Sequence, residues 1–139
     1  MTQARTNTLT SAVVAAAARW PERPALEVDG TSLSYADLMR EAAAIADAAV
    51  DRPITPDAPT TAVLAHRSVS AFAGIVAALV RGGPYVPLHP DFPPERTAEM
   101  VNRSGADVII VGSEAHAALE AMLAQVQSAK LVILADEGD

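Results

Sequence analysis

Apolar residues recur at helical spacing in two stretches of the first sixty positions, residues 8–19 and 34–50. Between them, the short apolar runs 26–28 and 32–34 flank Asp29-Gly30-Thr31. An Asp-Gly pair favours the positive backbone angles of a tight hairpin turn. The first part of the chain is therefore predicted to fold as a helix, a two-stranded ribbon and a second helix.

The second of these helices has a clear start in the sequence. Ser34 can cap it, with Asp37 three positions on completing a capping box. Its predicted buried stripe consists of Leu38, Ala42, Ile45 and Ala49. After the helix, residues 52–60 carry prolines at three positions and are predicted to be a surface loop within one domain.

From Thr61 onward, short apolar runs alternate with amphipathic stretches. The runs are 61–65, 85–88, 107–111 and 131–134, and the stretches are 69–81, 94–104 and 114–127. This alternation indicates parallel strands joined by helical crossovers. Residues 108–111 and 131–134 are apolar throughout, as in strands covered on both faces. The predicted fold class is α/β: residues 1–139 form one segment with a mainly parallel sheet, helices on both its faces and a small N-terminal β-hairpin.

Individual residues mark the helix ends in this second part. Pro94-Glu95-Arg96 is typical of a first helical turn, and Gly105 stands where a helix end favours a left-handed residue. Ser113 is predicted to cap the next helix. Gly82-Gly83 follows the carboxyl end of a helix, where the dipole is negative, so it is interpreted as a helix terminator rather than a phosphate loop.

Composition and charge narrow the possible functions. The formal charge of −7 disfavours sequence-independent binding of nucleic acid. The absence of cysteine excludes disulfides and thiolate chemistry and fits a cytoplasmic protein. The longest nearly apolar run, residues 71–80, is about half of what a membrane helix needs, so no membrane association is expected.

The tripeptide His66-Arg67-Ser68 is the best polar candidate for a binding site. It follows a predicted strand and opens a helix, and the carboxyl ends of parallel strands are where α/β proteins place ligands. Two interpretations stay open: Ser68 as a simple helix cap, and His66, Arg67 and Ser68 as residues lining a ligand cleft.

The remaining polar residues are interpreted without a site. His89 and Asp91 lie in a proline-rich turn that gives them no fixed reason to face each other, and His116 has no partner histidine at the four-residue spacing of a metal site. Asp136-Glu137-Gly138-Asp139 is interpreted as a solvated charge run. No metal ligands are expected.

The segment Leu79 to Met100, LVRGGPYVPLHPDFPPERTAEM, closely resembles the second core motif of amino-acid adenylation domains. Leu33-Ser34-Tyr35-Ala36-Asp37-Leu38 is similar to their first core motif, and residues 19–26 are similar to the proline-rich approach before it. Arg81, Gly82 and His89 depart from the pattern, standing where lysine, alanine and aspartate are usual. With these segments in the family's order, the chain resembles the N-terminal part of an adenylation domain of the nonribosomal peptide synthetase type, in the adenylate-forming (ANL) superfamily.

The resemblance implies a function for the complete enzyme. Such ligases use ATP and Mg²⁺ to convert an amino acid into an aminoacyl-adenylate and then load a phosphopantetheine thiol. The implied partners are the remainder of the adenylation domain, a carrier protein with phosphopantetheine and an MbtH-like protein.

The resemblance also implies what this chain does not contain. The family's phosphate loop, specificity pocket and catalytic lysine lie downstream in relatives, so the fold is expected to be an incomplete N-terminal subdomain. No catalytic or cofactor-binding residue carries over, no cofactor is expected for these residues alone, and the chain alone is predicted to be inactive. Two alternatives stay open: a non-catalytic interaction module built on the same framework, and an unrelated receiver or nucleotide-sensing domain.

Overall fold

A four-stranded parallel sheet carries the second part of the chain, and a two-stranded antiparallel ribbon lies in the first. The structure, a computed structural model, describes residues 8–49, 59–128 and 131–135. In chain order the elements are α1 (Leu9–Arg19), β1 (Pro24–Val28), β2 (Thr31–Ser34), α2 (Tyr35–Ala48), β3 (Thr61–Leu64), α3 (Val69–Val80), β4 (Tyr85–Leu88), α4 (Pro94–Ser104), β5 (Val108–Gly112), a 3-10 turn (Ser113–Ala115), α5 (His116–Leu123) and β6 (Leu131–Ala135). The predicted α/β class is confirmed.

The order of strands across the parallel sheet is β4-β3-β5-β6. Thr61 pairs with Tyr85 on one side and with Val108 on the other, so β3 and β5 are the two inner strands. Because all four strands are parallel, their carboxyl ends lie along one edge of the sheet and their amino ends along the opposite edge.

Side-chain alternation along the inner strands divides the core into two layers. Val108 and Ile110 of β5 face a cluster that includes the α2 and α3 residues Ile45 and Ala77. Ile109 and Val111 face the opposite cluster, formed with residues of α4 and α5. Helices therefore cover both faces of the sheet, and the run of five buried residues in β5 follows from this double cover.

The ribbon and α2 form as the sequence predicts. Asp29 and Gly30 make the turn with φ angles of 48° and 77°. The Ser34 hydroxyl accepts from the Asp37 N–H, and the Asp37 carboxylate accepts from the Ser34 N–H, which confirms the capping box. The hydrogen bond with Ser34, ahead of that with Arg40, holds the pKa of Asp37 below its usual value. The predicted buried stripe is confirmed in full: Leu38, Ala42, Ile45 and Ala49 are all buried.

At two positions the backbone conformation or a close backbone contact explains why the residue is glycine. Gly105 ends α4 in the left-handed region, with φ 70°, as predicted. Gly83 lies so close to the backbone of Pro59 that a Cβ atom would stand 1.8 Å from the Pro59 carbonyl oxygen. The interpretation of Gly82-Gly83 as a helix terminator is thus strengthened, because Gly82 adopts φ 90° and Gly83 allows a close approach of two chain segments.

Three predicted features differ from the structure. Ser113 caps no helix: it begins a 3-10 turn whose N-cap is Gly112, and α5 covers only His116–Leu123 instead of residues 114–127. Strand β6 is not covered throughout, since it pairs with β5 alone among the described strands and Leu134 is 52% exposed. Apolar content cannot distinguish an inner strand from one at the edge of the described sheet.

Two predicted segments lie partly or wholly outside the described residues. These are the loop 52–60, of which only residues 59 and 60 are described, and the charge run 136–139. None of the helices in the described ranges has the length and hydropathy needed to cross a membrane.

Candidate functional site

Polar side chains from three separate chain segments meet at the carboxyl edge of the parallel sheet. His66 follows β3, His89 and Asp91 follow β4, and Glu114 follows β5. Because these three strands are neighbours in the sheet, the residues after them are brought together although up to 48 positions separate them in sequence. The carboxyl edge is also where parallel α/β sheets place ligands.

The turn after β4 presents His89 and Asp91 on the same side. Pro90 restricts the backbone between them, and the Asp91 N–H donates to His89 Nδ1 over 3.1 Å. The Phe92 N–H donates to the His89 carbonyl, also at 3.1 Å, and the guanidinium of Arg96 lies 4.1 Å from the centre of the Phe92 ring. The turn is therefore anchored to the first turn of α4.

His66 completes a compact cluster with this turn. Its Nε2 atom lies 3.1 Å from Asp91 Oδ1, while His89 Nδ1 lies 3.9 Å from Asp91 Oδ2. The two imidazole rings stand edge to face, with centroids 5.2 Å apart. All three side chains reach solvent, since the side chain of His66 is 39% exposed and that of Asp91 is 75% exposed.

The sequence interpretation missed this cluster. It considered His89 with Asp91 as neighbours in one turn and found no reason for them to face each other, whereas His89 Nδ1 in fact accepts the Asp91 N–H. The sequence did contain a signal for the cluster, because residues that directly follow two adjacent parallel strands lie close together at the carboxyl edge of the sheet. The pairing of β3 with β4 was needed to apply it.

Ser68 acts as the predicted cap and takes no part in the His66, His89 and Asp91 cluster. It is 8% exposed, and its hydroxyl accepts from the Ala71 N–H over 3.2 Å at the start of α3. The carboxylate of Glu114 supports the same loop by accepting from the His66 N–H over 2.9 Å, with the Ser68 hydroxyl 3.4 Å away. Glu114 folds back over Gly112, where a Cβ atom would stand 2.6 Å from its Oε1. Arg67 is exposed beside this loop.

A separate concave surface lies between α2, the start of α3, β2 and β6. This groove has a volume of about 520 Å³ and includes Ile45, Ala73, Ile133 and Leu134 in its wall. Apolar side chains at its rim, Leu134 above all, are exposed to solvent. It is not lined by His66, Arg67 or Ser68.

The amino edge of the sheet holds a buried polar network instead. Arg81, at the end of α3, donates to the Thr61 hydroxyl and lies 3.4 Å from the Asp107 carboxylate. The side chains of Arg81 and Asp107 are 6% and 15% exposed. The Asp107 Oδ1 atom is buried without a hydrogen-bond partner among the described residues. This buried network of Arg81, Thr61 and Asp107 joins α3 to the starts of β3 and β5.

Comparison with known proteins places this fold among adenylate-forming enzymes. The family model described as AMP-binding enzyme matches residues 13–139. Tyrocidine synthase 3 from Brevibacillus parabrevis is 35% identical over 119 residues, which is 86% of this chain and 2% of that protein.

Solved structures agree with the sequence comparison. The crystal structure of IdnL7 is 35% identical, superposes with a TM-score of 0.78 and is matched over 94% of this chain and 25% of its own. The nonribosomal peptide synthetase FmoA3 in its α-methyl-L-serine-AMP bound form is 25% identical, with a TM-score of 0.80, over 93% of this chain and 14% of its own. The chain thus spans a quarter or less of the length of each of these three proteins.

Proposed function

Since the chain belongs to the AMP-binding enzyme family, matching the N-terminal part of an adenylation domain of the nonribosomal peptide synthetase type, we propose that it supplies the framework of an amino-acid-activating ligase. In this proposal residues 1–139 are the N-terminal portion of the large subdomain. The observation that carries it is the 35% identity to tyrocidine synthase 3 over 86% of the chain, together with the superposition on FmoA3 in its α-methyl-L-serine-AMP bound form.

The complete ligase would use ATP and Mg²⁺ to form an aminoacyl-adenylate and then load a carrier-protein phosphopantetheine thiol. Support comes from the family description and from the aminoacyl-AMP bound to FmoA3. The glycine pair of this chain does not fit a phosphate group: Gly82 and Gly83 follow the carboxyl end of α3, and the Pro59 carbonyl fills the space at Gly83. We therefore expect no ATP binding by this chain alone.

The role of the carboxyl edge in that ligase is also a proposal. His66 and Arg67 remain candidates for lining its ligand cleft, because both side chains reach the surface where α/β sheets bind ligands. Ser68 does not, since it is buried and caps α3. No catalytic residue is assigned to this chain.

The partners follow from the same proposal. The groove between α2, α3, β2 and β6 would receive the remainder of the adenylation domain, because burying exposed Leu134 and half-buried Ile133 is favourable. A carrier protein and an MbtH-like protein would bind the complete enzyme, for which we propose a cytoplasmic location. The alternative function, a non-catalytic interaction module, would use the same groove for another synthetase component.

A segment exchange tests the framework proposal. The segment of FmoA3 that matches this chain is replaced by this chain, and ATP–pyrophosphate exchange is measured with α-methyl-L-serine, whose adenylate is bound in the FmoA3 structure. We expect exchange by the chimera, and none by this chain alone or by FmoA3 lacking the segment. The electrostatic stabilisation that adenylation requires would then come from the remainder.

The contrary result is equally defined. A chimera that is folded by circular dichroism but shows no exchange would contradict the framework proposal. Capture of another synthetase component by this chain, with loss of capture in a Leu134→Asp variant, would then favour the interaction module.

A further inference from the structure

The proposed framework function gives no role to the cluster of His66, His89 and Asp91 at the carboxyl edge. His66, His89 and Asp91 each offer one ligand atom, and these atoms all lie within 4.8 Å of one another. We propose that these three side chains form a binding site for a transition-metal ion, with Zn²⁺ as the best match. The proposal does not depend on amino-acid activation.

The donor atoms select the class of metal. Two imidazole nitrogens and one carboxylate oxygen are ligands that Zn²⁺ accepts, and zinc sites with two histidines, one carboxylate and an open fourth position are well known. Mg²⁺ and Ca²⁺ prefer oxygen ligands, so a site with two imidazoles disfavours both ions. Cysteine cannot take part, since the chain has none.

The distances within the cluster suit such an ion. Zinc bonds of 2.0–2.2 Å hold the ligand atoms of a tetrahedral site about 3.3 Å apart. His66 Nε2 lies 3.1 Å from Asp91 Oδ1, and His89 Nδ1 lies 3.9 Å from Asp91 Oδ2. The first separation lies close to that value, and the second, which involves the other carboxylate oxygen, is about 0.6 Å longer; the side chains are exposed enough to adjust by rotation.

One ring nitrogen is already prepared as a ligand. Because His89 Nδ1 accepts the Asp91 N–H, it carries a lone pair and no proton of its own. A metal at this atom would replace one hydrogen bond of an exposed turn, while the contact between Arg96 and the Phe92 ring would still anchor that turn.

The backbone that carries His66 is held independently of its ring. The His66 N–H donates to the carboxylate of Glu114, which comes from the end of β5. This contact fixes the backbone from which the His66 ring extends. The cluster therefore has ligands from two strands, β3 and β4, and support from a third, so a bound ion would link the ends of two neighbouring strands.

Titration of the metal-free chain tests the site. The 139-residue chain is stripped with EDTA, and Zn²⁺ binding is measured by calorimetry, with Co²⁺ absorption as a report of coordination and Mg²⁺ as the hard-cation control. We expect one Zn²⁺ per chain and a rise in Tm on binding. His66→Ala, His89→Ala and Asp91→Ala should each weaken binding at least about tenfold, because losing a ligand should cost no less than losing an outer contact.

The chain provides matched controls. His116 is exposed at the start of α5 and is the one histidine outside the cluster, so His116→Ala should bind Zn²⁺ like the unaltered chain. A second control, the amide variant Asp136→Asn/Glu137→Gln/Asp139→Asn, lacks the side-chain carboxylates of residues 136–139 and should also bind Zn²⁺ like the unaltered chain. Asp91→Asn, which keeps the shape of the side chain, serves as a second variant, and circular dichroism checks the folding of each protein.

Several results would overturn the proposal. Absence of saturable Zn²⁺ binding would do so, as would full binding by folded His66→Ala and His89→Ala proteins. Equal weakening by His116→Ala would show that isolated histidines bind the ion, and loss of binding in the amide variant would assign it to residues 136–139. None of these measurements involves ATP or an amino acid, so failure here leaves the proposed function untouched.

Discussion

The two edges of the parallel sheet hold similar residue types in opposite environments. At the amino edge, Arg81 and Asp107 are almost fully buried with Thr61 and join one helix to two strands. At the carboxyl edge, the His66 ring and the Asp91 carboxylate also lie within hydrogen-bond distance, but both reach solvent. A buried charge must be compensated for the fold to exist, whereas an exposed one is available to a ligand. The comparison indicates that the amino edge stabilises the fold and that the carboxyl edge is available for binding.

The largest effect is expected from breaking the buried pair. Asp107→Ala would leave the buried guanidinium of Arg81 with the Thr61 hydroxyl as its one side-chain partner among the described residues, which should lower the free energy of unfolding by about 3 kcal/mol. Urea denaturation measures this change.

A matched exposed pair provides the control for Asp107→Ala. Arg103 and Glu99 lie 2.7 Å apart on α4 with side chains 80% and 58% exposed, and Glu99→Ala should cost less than about 1 kcal/mol. Equal effects of the two substitutions would refute a structural role for the amino edge.

A second test of the amino edge concerns the close approach at Gly83. In Gly83→Ala, the new Cβ would stand 1.8 Å from the Pro59 carbonyl oxygen, so the two segments must separate. We expect a loss of about 2 kcal/mol, the usual scale of overpacking, measured as a lower urea midpoint.

The neighbouring glycine separates steric overlap from backbone strain. Gly82 has φ 90° and open space around its Cα, so Gly82→Ala should cost about 1 kcal/mol from strain alone. If Gly83→Ala were the milder of the two, the contact with Pro59 would not be important for stability.

These tests also show where the sequence was informative. Helix ends and the buried stripe of α2 were predictable because caps and periodicity are local properties. Ser34 with Asp37 and Gly105 are examples. The continuous apolar run of β5 correctly predicted a strand covered on both faces, since each of its faces meets helices.

Apart from the Ser113 cap and the bounds of α5, the misses are long-range by nature. The exposure of Leu134 depends on which strands flank β6, and the role of Gly83 depends on a segment 24 positions earlier. The cluster of His66 with His89 and Asp91 depends on the pairing of β3 with β4. Motifs that describe one segment at a time contain none of this information.

A smaller effect is expected at the carboxyl edge, from the buried hydroxyl of Ser68. Ser68→Ala removes the acceptor for the Ala71 N–H at the start of α3 and should cost about 1 kcal/mol. Ser113 provides the control, because it is exposed and its hydroxyl caps no helix, so Ser113→Ala should leave the urea midpoint unchanged. A neutral Ser68→Ala would mean that Glu114 alone holds this loop.

The smallest effect is expected for the exposed contact between His66 and Asp91, and it tests the comparison most directly. Asp91→Ala removes the partner of His66, yet both side chains are solvated, so the free energy of unfolding in EDTA should change by less than about 0.5 kcal/mol. The contrast with Asp107→Ala, the same substitution at the opposite edge, would then be at least about fivefold. A loss as large as that of Asp107→Ala would make the cluster part of the folding core. A near-neutral result means instead that these side chains are held in place by β3, β4 and the Phe92 contact, and remain available to a ligand.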